Sequence, residues 1–156
     1  MKKLLSAIII LLVLGFSGEA LATGACVHTS TENIRVNGDL VRKVITFTCT
    51  SDGSGIAAYT FTPATFGVRG WYLYAVSTDP DGTSAPTDSY DVTFIRGGED
   101  IAGSLLIDRS STLTQTVAIA PTTLGYHMAD GAITFTFANI TSNPGIFVMK
   151  TYWTAN

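Results

Sequence analysis

Asn37-Gly38 constrains this chain more than any other dipeptide in it, because both central positions of a tight type I′ hairpin turn need positive φ. The flanks, residues 27–36 and 39–50, are rich in Val, Ile, Thr and Phe and read as two strands of one long hairpin. With Asn37 and Gly38 at the tip, Val36 faces Asp39 and the numbers of every facing pair sum to 75. Cys26 and Cys49, the only two cysteines, also sum to 75. Facing residues lie about 4.5–5.5 Å apart between Cα atoms, within reach of a disulfide. Turn chemistry and cysteine spacing therefore predict one register, with Glu32 opposite Lys43, Ile34 opposite Val41 and His28 opposite Phe47. One bulge would shift that register and break the cysteine coincidence.

A disulfide requires an oxidising compartment, and the N-terminus supplies a route to one. Lys2 and Lys3 precede an apolar run over residues 4–16, broken by Ser6 and Gly15, and Ala20-Leu21-Ala22 offers the small residues of a cleavage site. This pattern predicts a bacterial-type signal peptide over residues 1–22, with a single domain over 23–156 that is secreted or periplasmic. The run is shorter than the roughly 20 residues of a spanning helix, so the mature chain is expected to have no membrane span. A lipid anchor on Cys26 is the competing reading; it wants an aliphatic residue where Thr23 stands, and it would leave Cys49 unpaired. Removing 22 residues from 156 leaves 134, enough for one core. Of 9 basic and 12 acidic residues, Lys2, Lys3 and Glu19 lie in the leader, leaving 7 and 11. That balance gives no reason to expect a nucleic-acid partner.

After the hairpin and the Asp52-Gly53-Ser54-Gly55 loop, short strand-like runs follow at 56–61, 70–77, 90–96, 101–107, 113–119, 132–139 and 146–153. In 70–77, Trp71, Leu73 and Ala75 alternate with Tyr72, Tyr74 and Val76; both sets are fairly apolar, as in a central strand. Residues 78–88 read as a loop and 120–130 as a connection. No apolar spacing of three and four persists after the leader. Eight or nine strands separated by turns predict an all-β fold, an antiparallel two-sheet β-sandwich.

Candidate chemistry is sparse. His28 and His127 have no metal-ligand spacing, and no nucleophile motif accompanies them. Ser110-Ser111 reads as a polar turn, and Asp100 and Asp108 are only a nominal carboxylate pair for a hydrolase. Asp79, Asp81, Asp88 and Asp91 form an acidic loop that could hold Ca²⁺, although Pro80 intervenes and no bidentate Glu follows; Asp-Pro-Asp-Gly is also simply good turn chemistry. No other cofactor is suggested. Trp71, Tyr72, Tyr74, Tyr90, Tyr126, Tyr152 and Trp153 could stack on sugars, but alternation must turn about half of them inward. Tyr72 and Tyr74, on one face of one strand, are the best ligand-stacking pair.

Residues 70–153 also carry a resemblance. An aromatic strand leads into Ser77-Thr78-Asp79-Pro80, then Ala85-Pro86-Thr87-Asp88-Ser89-Tyr90-Asp91-Val92-Thr93, Gly98-Glu99-Asp100-Ile101-Ala102-Gly103 and Asp108-Arg109-Ser110-Ser111. This order resembles small β-sandwich structural proteins of tailed-phage virions. The resemblance implies a β-sandwich acting in assembly or binding, and carries over no catalytic residue. The leader and the disulfide depart from it, since such proteins assemble in the cytoplasm.

Three functions follow. The leading one is an exported, non-catalytic structural or interaction module working through a protein partner or self-assembly. The alternative is a glycan-binding or adhesion domain, which requires tyrosine and tryptophan side chains gathered on one solvent-facing patch. The third, a hydrolase, lacks a motif.

Overall fold

The computed structural model describes residues 24–53, 55–119, 131–142 and 144–155. The expected leader at 1–22, the expected connection at 120–130, Tyr126 and His127 lie outside the described residues. Among the described residues nine strands form two antiparallel sheets, as the sequence predicts: β1 (Ala25–Val36), β2 (Asp39–Thr50), β3 (Tyr59–Phe61), β4 (Tyr72–Pro80), β5 (Asp91–Arg96), β6 (Glu99–Asp100), β7 (Gln115–Ala118), β8 (Ile133–Ala138) and β9 (Ile146–Thr154). One sheet has the order β1-β2-β9-β4-β7 and the other β3-β8-β5-β6. Among the described residues no helix is long and apolar enough to cross a membrane.

The hairpin turns where the dipeptide says it should, with Asn37 at φ 53° and Gly38 at φ 93°. Cys26 and Cys49 face each other and are bonded. The path between turn and disulfide is not the simple one. Val36 faces Asp39 and Arg35 faces Leu40, but Ile34 then faces Arg42, so Val41 is an extra residue on β2. The shifted register puts Glu32 opposite Val44, not Lys43. It lasts until Ser30–Thr46, where Thr29 is an extra residue on β1 and His28 returns opposite Phe47. Two bulges of opposite sense cancel, which is why the cysteines still meet. The first also frees the Val41 carbonyl to accept from the Ala155 N–H at 3.2 Å and the Thr154 hydroxyl at 3.3 Å, tying the hairpin to β9.

A third bulge lies in β4. Leu73 faces Trp153 and Ala75 faces Tyr152, leaving Tyr74 unmatched. The expected strict alternation is therefore wrong beyond Leu73: Val76, not Ala75, joins Leu73 in the core, and Ala75 turns outward beside Tyr74. β4 also runs on through Asp79 and Pro80, where the turn residues predict a loop, because Pro80 pairs with Phe147 at the strand end, where proline is tolerated. The run at 101–107 forms no strand; Asp100 accepts from the N–H groups of Phe94, Ala102 and Ser104 and winds the chain into turns that sink Ile101, Ala102 and Leu106 into the core. Of 56–61, only Tyr59–Phe61 is strand.

Between the sheets, Phe135 on β8 sits 4.4 Å from Phe94, 5.1 Å from Phe61 and 5.1 Å from Phe47 between ring centroids. Trp153 is fully buried with its indole N–H donated to Thr151 at 2.9 Å. Rings of this size supply most of the apolar area that holds such a sandwich closed.

Candidate functional site

The outward face of the five-stranded sheet follows from the register. Along β9, Phe147, Met149, Thr151 and Trp153 point inward and are fully buried, so Val148, Lys150, Tyr152 and Thr154 point outward. Thr154 lies between Arg42 on β2 and Tyr72 on β4; Tyr152 lies between Val44 and Ala75; Lys150 lies between Thr46 and Ser77. The β4 bulge brings the Tyr74 ring to 6.0 Å from that of Tyr152. The Arg42 guanidinium sits 5.4 Å from the Tyr74 ring centre, a cation–π distance. Tyr72, Tyr74 and Tyr152 are each half-buried, while Val44 and Ala75, although they point out of the sandwich, are only 8% and 7% exposed. Small buried floor residues between three rings and an exposed arginine make a shallow aromatic platform.

Tyr72 and Tyr74, the pair expected from sequence, thus stand on this platform. Tyr152, one of the wider aromatic set, and Arg42, which the sequence did not single out, complete it. Tyr152 carries a sequence signal, since it alternates with the inward Thr151 and Trp153; its adjacency to β4 does not, because β9 inserts between β2 and β4 only in the folded sheet. Of the other candidate aromatics, Trp153 and Tyr90 are core residues and Trp71 packs half-buried against the core.

The acidic loop is differently employed. Asp81 Oδ1 accepts from the Thr83 N–H at 2.9 Å and the Ser84 N–H at 2.7 Å, a turn closed by its own side chain. Backbone donation, from Ser84 first and then Thr83, holds the Asp81 carboxyl below its ordinary pKa. The other three aspartates fasten residues 108–114: Asp91 accepts from the Asp108 N–H at 2.9 Å, Asp88 from the Ser111 N–H at 3.0 Å and Asp79 from the Thr114 hydroxyl. The Ser111 N–H likewise holds the Asp88 carboxyl below its ordinary value. Among the described residues, no three His, Cys, Asp or Glu side chains come together as a metal site requires.

What the aspartates fasten is Arg109. Its N–H donates to the Tyr90 carbonyl at 2.7 Å, and its buried guanidinium donates to the Thr78 hydroxyl at 3.1 Å and the Gln115 carbonyl at 2.9 Å. Burial lowers its pKa. Tyr90 beside it is fully buried, its hydroxyl is without a hydrogen-bond partner among the described residues, and burial raises its pKa. At another corner Lys43, 8% exposed, donates to the Phe66 carbonyl at 2.7 Å and the Gly67 carbonyl at 3.2 Å, capping the 3-10 turn Pro63–Phe66. Neither buried cation faces the platform.

His28 is exposed, bonds Thr31 at 2.9 Å through Nε2 and packs on Phe66. The Ser110 hydroxyl accepts from the N–H groups of Thr112 and Leu113, both at 3.1 Å, as a polar turn does. The outward face of the four-stranded sheet carries paired threonine hydroxyls, Thr60 with Thr134 and Thr93 with Thr136.

No protein-family model matches the chain, and no curated protein matches it. Among solved structures the chain is similar to the family 11 carbohydrate-binding module of the cellulosomal cellulase Lic26A-Cel5E of Clostridium thermocellum, at 12% identity over 90% of this chain and 91% of that one, with a TM-score of 0.32. A superposition that loose says nothing about this chain's ligand.

Proposed function

We propose that this chain is an exported, non-catalytic binding module that holds a carbohydrate on the outward face of its five-stranded sheet. One observation carries the reading: Tyr74 and Tyr152 pair at 6.0 Å on a solvent-facing surface, with Tyr72 on the same face. A tyrosine ring offers an apolar face to the C–H face of a sugar and a hydroxyl at its edge to the sugar's hydroxyls. Rings that served only the core would point inward, as Trp153 does. The Cys26–Cys49 bond supports a working place outside the reducing cytoplasm.

The test is affinity electrophoresis of the mature protein in gels carrying different polysaccharides. Tyr74→Ala and Tyr152→Ala should each weaken retardation, by a factor of about two to ten if each ring contributes about 0.5–1.5 kcal/mol. Unaltered retardation in both variants would remove the platform as the binding surface.

A second reading has its own observation. β1 is an edge strand of 12 residues, exposed along nearly all its length. An exposed edge can pair with another copy. A role in assembly or binding is also what the resemblance to phage structural proteins implies.

A further inference from the structure

We infer that the platform's ligand is an anionic polysaccharide whose charge is carried by uronate carboxylates; this rests on the glycan reading above. Two exposed cations flank the tyrosines on two neighbouring interior strands: Arg42 of β2, over Tyr74, and Lys150 of β9, two residues from Tyr152 on the same face and hence about 7 Å along the strand. The chain as a whole carries a formal charge of −3, so this is a local feature and not part of a general basic field. The carboxylates on the same face lie at its margins. Glu32 is on the edge strand β1, opposite Val44, and Asp79, opposite Val148, accepts the Thr114 hydroxyl. A guanidinium placed over a ring keeps its N–H donors at its own edge, in its own plane, where a carboxylate accepts two parallel bonds. The Tyr72 and Tyr152 rings then take the sugar face, Tyr74 holds Arg42 in place, and Arg42 and Lys150 take the acid groups of the residues on either side. A neutral glucan gives the two cations nothing to neutralise.

The experiment is calorimetric titration of the mature protein with alginate, with polygalacturonate, with the same polygalacturonate fully methyl-esterified, and with a sulfated polymer of similar length. The expected result is binding to a polyuronate that weakens with added salt and falls roughly three- to tenfold in Arg42→Gln and in Lys150→Gln, as loss of one exposed charge-assisted bond predicts. Polygalacturonate should also bind more tightly than its ester. Both substituted residues are exposed, so unfolding midpoints should be unchanged. Equal binding of acid and ester would overturn the inference and leave the glycan reading standing. Tighter binding to the sulfated polymer would overturn the carboxylate assignment. Binding to none of the four would overturn the inference, and the gel survey with neutral polysaccharides then decides the glycan reading separately.

Discussion

Single residues in this protein do two jobs that look alike in sequence. Aspartates in a turn-rich segment suggest a cation site, yet Asp79, Asp81, Asp88 and Asp91 accept hydrogen bonds from the chain itself. The titration behaviour follows. Asp81 and Asp88 have folded pKa values below their ordinary 3.8, so their bonds add stability above that value, and it is lost as pH falls through the folded values. The unfolding midpoint is therefore expected to drop on acidification below about pH 4, less so in Asp81→Asn, and to be indifferent to EDTA; a midpoint raised by Ca²⁺ would contradict this assignment. Tyr90 offers the opposite test. Its buried hydroxyl has no hydrogen-bond partner among the described residues, so Tyr90→Phe removes a desolvated polar group and keeps the ring 4.9 Å from Phe147. Thermal unfolding should show a gain of up to about 1 kcal/mol, and a loss of that size would mean the hydroxyl is satisfied in solution.

At the level of elements, the hairpin shows how far local signals reach. Asn37-Gly38 and the cysteine pair fix both ends of the register, and both ends are as expected. The middle is not, because the Val41 and Thr29 bulges cancel in any sum taken across them. No local motif marks these bulges; the first gains its value from β9, whose end uses the freed Val41 carbonyl. The same reasoning applies to β4, where outward Tyr74 and Ala75 follow one another because Val76 fills the core. The disulfide closes a separation of 23 residues, for which loop entropy predicts a contribution of about 3 kcal/mol. Cys26→Ala with Cys49→Ala should lower the midpoint by roughly 10 °C, while the tight turn keeps the hairpin paired below the transition. A shift of a degree or two would show that the hairpin is already held by its turn and by β9.

For the whole molecule, the glycan reading and the assembly reading make opposite statements about β1. The strand is long and open, but it carries a bulge at Thr29 and the charges of Glu32 and Arg35, features that blunt edge-to-edge pairing. Light scattering of the mature protein is therefore expected to report a monomer. A defined dimer or filament would move the function from the sheet face to the β1 edge. The fold class was legible because period-two alternation and turn residues act over a few positions, within the reach of a sequence pattern. The existence of most strands, the hairpin tip, the disulfide partners and the shared face of Tyr72 and Tyr74 all belong to that range. Only the tertiary structure decided that β9 lies between β2 and β4, and with it that Tyr152 and Arg42 stand beside Tyr74. Strands distant in sequence pair through backbone hydrogen bonds that nearly every residue can make, so the choice of neighbour is set by how the whole core fills, and the tyrosine face is a consequence of that choice.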